Sequence, residues 1–195
     1  MKRLVFFFCL LFPVLSCAQP REDLTERVLE LCEYIPDHFL NPGAEDYMTS
    51  EFYHALSEAF AAPVADYGEI GDNEWLWYFV TGNGGSRPFY SVKSVSRPSK
   101  DATTAVINVK DVWDEERGPE GEGKDYKVSL KRVNGEWLLD DFDGKKKECA
   151  RYVREMRAKY KSGEIVKYLQ SNAFTREYVP DFKRRVDEFY SRFGK

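Results

Sequence analysis

The chain has 195 residues, with 29 Lys+Arg against 33 Asp+Glu, a net charge of −4 at pH 7. That acidic balance argues against a general nucleic-acid binder, which needs a basic footprint. The length allows one domain with a substantial core, or a domain plus an extension, and 15% aromatic residues point to a core or pocket of large rings, each burying roughly 150–250 Å².

Lys2 and Arg3 precede an apolar run, Leu4 to Phe12, that Pro13 interrupts. A basic start and a short apolar stretch form the layout of a secretory signal. The run is too short for a bilayer span, which takes about 20 apolar residues. Val14-Leu15-Ser16-Cys17 resembles the bacterial lipobox, in which the cysteine thiol is lipidated and becomes the new N-terminus. The competing reading is cleavage after Ala18, with Ser16 and Ala18 as the small pair. The lipobox reading makes residues 1–16 a signal peptide, Cys17 the lipidation site and 17–23 a polar tether. The protein is then expected in the cell envelope, lipid-anchored at the outer membrane or periplasmic face, or secreted to the periplasm if not lipidated. Firm anchoring takes more than one acyl chain, as bacterial lipoproteins of this type carry. Without Lys2 and Arg3 the chain keeps 27 Lys+Arg against 33 Asp+Glu, a net −6.

Leu24 to Leu40 reads as a helix, with apolar residues at three- and four-residue spacing. Thr49 or Ser50 is placed to cap a second helix that sets Phe52, Leu56, Ala59 and Phe60 on one face, and Pro63 marks its end. "EWLWYFV", 74–80, is apolar on both faces and reads as a buried strand or a short helical turn. "TGNGGSRP", 81–88, reads as a loop that lacks the Gly-Lys-Ser/Thr ending of a phosphate-binding loop. Residues 89–95 and 103–114 alternate as strands, and the charged stretch 115–124 reads as a loop. In 125–142 two strands flank Asn134-Gly135, the strongest short hairpin signal. Residues 145–160 form an amphipathic helix that Gly163 interrupts. After Pro180, Phe182, Val186, Phe189 and Phe193 share a helical face. The expectation is an α+β fold: N-terminal helices on a curved antiparallel sheet over 24–160, then a helical extension over 161–195. No internal repeat is visible.

Cys32 and Cys149 each fall on the apolar face of a predicted helix. They are either two buried thiols or a disulfide between the helices, which an oxidising envelope permits. No Cys-x-x-Cys or His-Glu-x-x-His spacing occurs, so no metal or cofactor is expected.

Two helices followed by a meander whose last strand reads Gly135-Glu136-Trp137-Leu138-Leu139-Asp140-Asp141 resemble the nuclear transport factor 2-like, or cystatin-like cone, superfamily. More narrowly, the chain resembles lipoproteins of that superfamily from Bacteroides-like bacteria. The likeness covers about residues 24–160 and rests on Leu24–Leu40, Tyr47–Phe60 and that strand. It implies a curved sheet wrapped against helices with a pocket in the cone. It implies no activity, because the same fold hosts enzymes, binders and dimerisation modules.

A two-residue hairpin turn sets Val133 opposite Glu136, Arg132 opposite Trp137, Leu130 opposite Leu139 and Val128 opposite Asp141. Directly opposed side chains share a face, so Val128, Leu130, Trp137 and Leu139 form a core stripe that also carries Asp141. In strand 103–114, Ala105, Ile107, Val109 and Trp113 share a face with Asp111. If the next strand closes back near Asp114–Asp125, Asp111 also falls opposite Val128, and the two acids stand roughly 10 Å apart. Carboxylates buried between tryptophans have raised pKa values, and ketosteroid isomerase-like members of the superfamily use such acids as a base and a hydrogen-bond donor. The bland alternative is a pair of solvated or Arg-paired strand ends. His38, near a helix end, reads as exposed or capping, and His54, opposite the apolar face of its helix, reads as solvated. Trp75, Trp77, Phe79, Tyr90, Trp113 and Trp137 read as core or as a ring-lined ligand pocket.

Charge is uneven along the chain. Residues 145–161 hold eight basic residues against Glu148 and Glu155, and 111–125 hold seven acids against Arg117 and Lys124. Both fit solvated surfaces, and the first also fits a basic face beside anionic headgroups. The leading functional expectation is a non-enzymatic envelope lipoprotein that binds a small apolar ligand or an envelope protein. The alternatives are an enzyme using Asp111 and Asp141, and a homodimer module paired through its open sheet face.

Overall fold

A computed structural model describes residues 23–34, 43–62, 86–97, 99–171, 173 and 175–193. Its elements, in order, are α1 (Thr25–Tyr34), α2 (Ser50–Ala61), β1 (Arg87–Ser96), β2 (Ala102–Val112), β3 (Glu120–Val133), β4 (Glu136–Phe142), α3 (Lys145–Lys161), α4 (Glu164–Ser171) and α5 (Val179–Phe193). The fold is α+β. The four strands form one antiparallel sheet in the order β1-β2-β3-β4.

Local chemistry starts the helices where the sequence suggests. The Asp23 carboxylate accepts a hydrogen bond from the Thr25 backbone N–H at 2.9 Å, which satisfies a donor that a helix start leaves open. Thr49 caps α2, its hydroxyl accepting from the Phe52 N–H at 3.3 Å. Leu24, Val28, Leu31 and Cys32 of the first helix are buried, as are Phe52, Leu56 and Ala59 of the second. The expected stretches 35–40, 74–80 and 81–85, with Cys17, His38, Trp75, Trp77 and Phe79, lie outside the described residues.

The hairpin turn forms as expected. Asn134 and Gly135 sit at φ 53° and 94°, the left-handed pair that a two-residue turn requires. Two features of the sheet differ from expectation. First, β3 does not wait until Asp125: it begins at Glu120, inside the acidic stretch read as a loop. Gly123 makes this possible. It adopts φ +74°, and a side chain there would put its Cβ 2.6 Å from the Val109 carbonyl oxygen and the Asn108 side chain. The early start slides the β2–β3 register, so Val128 faces Ala105, and Asp111 faces Glu120. The shift is even, so Ala105, Ile107 and Val109 keep the inward face and are buried.

Second, β4 carries a bulge. Leu130 faces Leu139 as expected, but Ser129 faces Asp141 and Val128 faces Phe142, leaving Asp140 as the extra residue. A single inserted residue flips every later side chain to the other face. Phe142 therefore takes the core position that the simple hairpin assigned to Asp141, and is fully buried.

The inward face carries Tyr90, Ile107, Tyr126, Val128, Leu130, Trp137, Leu139 and Phe142, all buried in one cluster with the apolar faces of α1, α2 and α3. The outward face is mostly polar. Lys93 pairs with Asp125 at 2.7 Å, Asn108 donates to the same carboxylate at 2.7 Å, and alternation adds Ser91, Thr104, Lys127 and Ser129, with Phe89, Val106 and Leu138 among them.

Gly163, at φ +77°, ends α3 and lets α4 turn back. Ile165, Leu169, Val179, Phe182, Val186 and Phe189 join the same core cluster. Tyr160 of α3 lies 6.4 Å from Phe182 and 6.2 Å from Tyr190, ring to ring. Cys32 and Cys149 are buried as thiols, with no disulfide between them. Among the described residues no helix is long and apolar enough to cross a membrane.

Candidate functional site

The most concentrated polar chemistry in the described residues lies where β4, α2 and α3 meet. The segment before α2 runs alongside β4: the Thr49 N–H donates to the Leu139 carbonyl at 2.8 Å, and the Leu139 N–H donates to the Tyr47 carbonyl at 2.9 Å. That contact brings the α2 cap against the β4 bulge. Asp140, the bulged residue, is 8% exposed. Its Oδ1 accepts from Thr49 Oγ1 at 2.9 Å and from Lys146 Nζ at 2.9 Å, and lies 3.1 Å from Lys131 Nζ. Glu51 in the first turn of α2 completes the group, 3.1 Å from Lys131 Nζ and 3.4 Å from Lys146 Nζ.

Two carboxylates and two ammonium groups give a neutral tetrad. Burial by itself would raise the Asp140 pKa, but hydrogen bonds from Lys146, Thr49 and Lys131 outweigh it and hold the carboxyl below its ordinary value. Glu51 is lowered by Lys131 and then Lys146, and Lys131 is raised by Asp140 and Glu51. Charged hydrogen bonds are the strong ones, and here one carboxylate ties a helix cap, a neighbouring strand and the first turn of a third element together. The arrangement suits holding structure rather than transferring a proton.

The expected acid pair is not assembled. Asp111 faces Glu120, and Asp141 faces Ser129, whose partner on β2 is Thr104, so the two acids stand seven β2 residues, roughly 23 Å, apart along the sheet. The Asp111 carboxylate accepts from Ser86 Oγ at 2.7 Å. The Asp141 carboxylate accepts from the Lys146 backbone N–H at 2.9 Å, closing an open donor at the start of α3, where negative charge is favoured. The separation follows directly from the early start of β3 and the β4 bulge.

The described aromatic candidates do not converge either. Tyr90 is buried opposite Val109 near one end of the sheet, and Trp137 is buried opposite Arg132 near the other. The Arg97 and Arg132 guanidinium carbons lie 5.7 and 5.9 Å from the Trp137 ring centroid, within cation–π range. Trp113 is 52% exposed and Phe89 47%. His54 is exposed, as expected. Burial pushes the Cys149 thiol up to about 12, so it is an inert core group. No cluster of three metal-ligating side chains occurs among the described residues.

Asp140 itself escaped sequence reasoning. The signal was present in Leu139-Asp140-Asp141-Phe142: a strand can turn both Leu139 and Phe142 inward only if one residue between them is extra. No family model, no curated protein and no solved structure matches the chain.

Proposed function

We propose that the protein is a lipid-anchored component of the cell envelope, built on the cystatin-like cone plan, that binds an envelope protein rather than catalysing a reaction. The observation that carries the choice of binding is where the candidate groups sit. Asp111, Asp140 and Asp141 are each engaged in a local hydrogen bond or ion pair, and the first and last lie far apart. Phe89 and Trp113, by contrast, offer exposed rings at one end of the β1–β2 ladder, and exposed aromatics are the residues that anchor protein interfaces. The N-terminal Lys2-Arg3, apolar run and Cys17 support the envelope location.

The test has two parts. Cys17→Ala should leave the precursor uncleaved or release the protein from membranes; unchanged processing and attachment would count against the anchor. A photo-crosslinking residue at position 113 should give one discrete protein adduct in cells. An adduct with a co-purifying small molecule would instead assign the surface to an apolar ligand.

A further inference from the structure

We propose that the solvent face of α3 is the surface by which the protein lies flat on an anionic phospholipid bilayer. At 3.6 residues per turn, Lys147, Arg151, Arg154, Arg157 and Lys161 fall within an arc of about 120°. Ala150 and Ala158 are the other residues of α3 in that arc, and all seven are exposed. The opposite face, Cys149, Tyr152 and Met156, is buried. The five cations make a row roughly 21 Å long. Among the described residues the ion pair within reach of it is Arg151–Glu155, at 3.9 Å. Arg157 lies over the Tyr190 ring, 5.1 Å from its centroid.

Like charges at three- and four-residue spacing repel along a helix, so this row works against α3 when it faces water alone. Nor does it follow the sign of the chain, which is net −6 without Lys2 and Arg3. A face kept only for solubility would serve as well with acids. A planar array of headgroup phosphates offsets the repulsion along the whole row at once. The arc holds no aromatic and no large apolar residue, so the helix would rest at headgroup level rather than insert as an amphipathic anchor does. The choice of a bilayer over a soluble acidic partner rests on the envelope reading above. From Cys17 to Asp23 the chain reaches at most about 21 Å, which keeps α1 close to the membrane holding the lipid.

The mature lipidated chain carrying Ala150→Cys is suited to the test: on the lipoprotein reading Cys9 leaves with residues 1–16 and the Cys17 thiol is acylated, and Cys32 and Cys149 are buried, so none of the four competes for a polar maleimide. Its labelling rate is measured on vesicles of phosphatidylcholine alone and with 30% phosphatidylglycerol. Labelling should slow at least about fivefold on the anionic vesicles and recover in 0.5 M salt, since screening weakens exposed charge contacts. Adding Arg151→Gln and Arg154→Gln, both exposed, should abolish the difference, while Lys147→Arg with Lys161→Arg should preserve it. Equal rates on the two compositions overturn the proposal and leave the row to a soluble acidic partner. Attachment to the phosphatidylcholine vesicles reads the lipid anchor independently, so either idea can fail alone.

Discussion

Asp140 concentrates much of the local stability in one carboxylate. Asp140→Asn would leave Lys131 and Lys146 sharing Glu51 and would weaken the Thr49 contact, so it should destabilise the fold by about 2–3 kcal/mol, read as a lower urea midpoint. The folded carboxyl pKa is depressed. Its contribution is therefore fully present above the unfolded value, about 3.9, and lost as pH falls through the folded value. The gap between wild type and Asp140→Asn should be constant at neutral pH and shrink only below about pH 4. A gap that closes between pH 5 and 7 would mean the carboxyl is not held low. Gly123 gives a second test at this scale. Gly123→Ala must push a Cβ into the Val109 carbonyl in addition to adopting positive φ. It should cost more than Gly121→Ala, where φ is also positive but the space is open; the strain at positive φ alone is about 1 kcal/mol. Equal losses would show that the β2–β3 contact is looser than described.

At the scale of elements, the β4 strand is the hinge of the architecture. Its first half carries Trp137 and Leu139 inward; its bulge presents Asp140 to α2 and α3; its end returns Phe142 to the core. Trp137→Ala removes a ring that is 3% exposed and should cost about 3–5 kcal/mol. The helical extension belongs to the same calculation. Phe182 is 2% exposed and packs against Tyr160, so Phe182→Ala should cost about 3–4 kcal/mol and lower the single melting transition of the whole chain. A separate low-temperature transition in that variant would show that α4 and α5 fold apart from the sheet.

At the scale of the molecule, the chain divides its surfaces by chemistry. The sheet exterior carries a polar network around Asp125 and Asn108, the β1–β2 end exposes Phe89 and Trp113, and α3 presents a cationic row. The thiols report on the integrity of the whole. With Cys149 raised to about 12 by burial and Cys32 fully buried, neither should react with iodoacetamide in the native protein. Both should react once it is unfolded in urea. Native alkylation of Cys149, read by mass spectrometry, would mean that α3 opens from β4.

Patterns local to a few residues were determined by the sequence alone. The Asn134-Gly135 turn, the Thr49 cap, the buried faces of α1, α2 and α3, the break at Gly163 and the inward placement of Trp137 all follow from backbone preference and periodicity, which act over a turn or a strand. Register was a different matter. Whether β3 starts at Glu120 or Asp125 depends on whether Gly123 can press against Val109, and where β4 bulges depends on Phe142 reaching the core and Asp140 reaching two lysines and a threonine from other elements. Those contacts join residues up to about ninety positions apart, and a single inserted residue reverses which side chain faces in. The acid pair legible in the alternation was therefore taken apart by tertiary structure, and the same bulge assembled a different carboxylate, Asp140, into the network that holds α2 and α3 to the sheet.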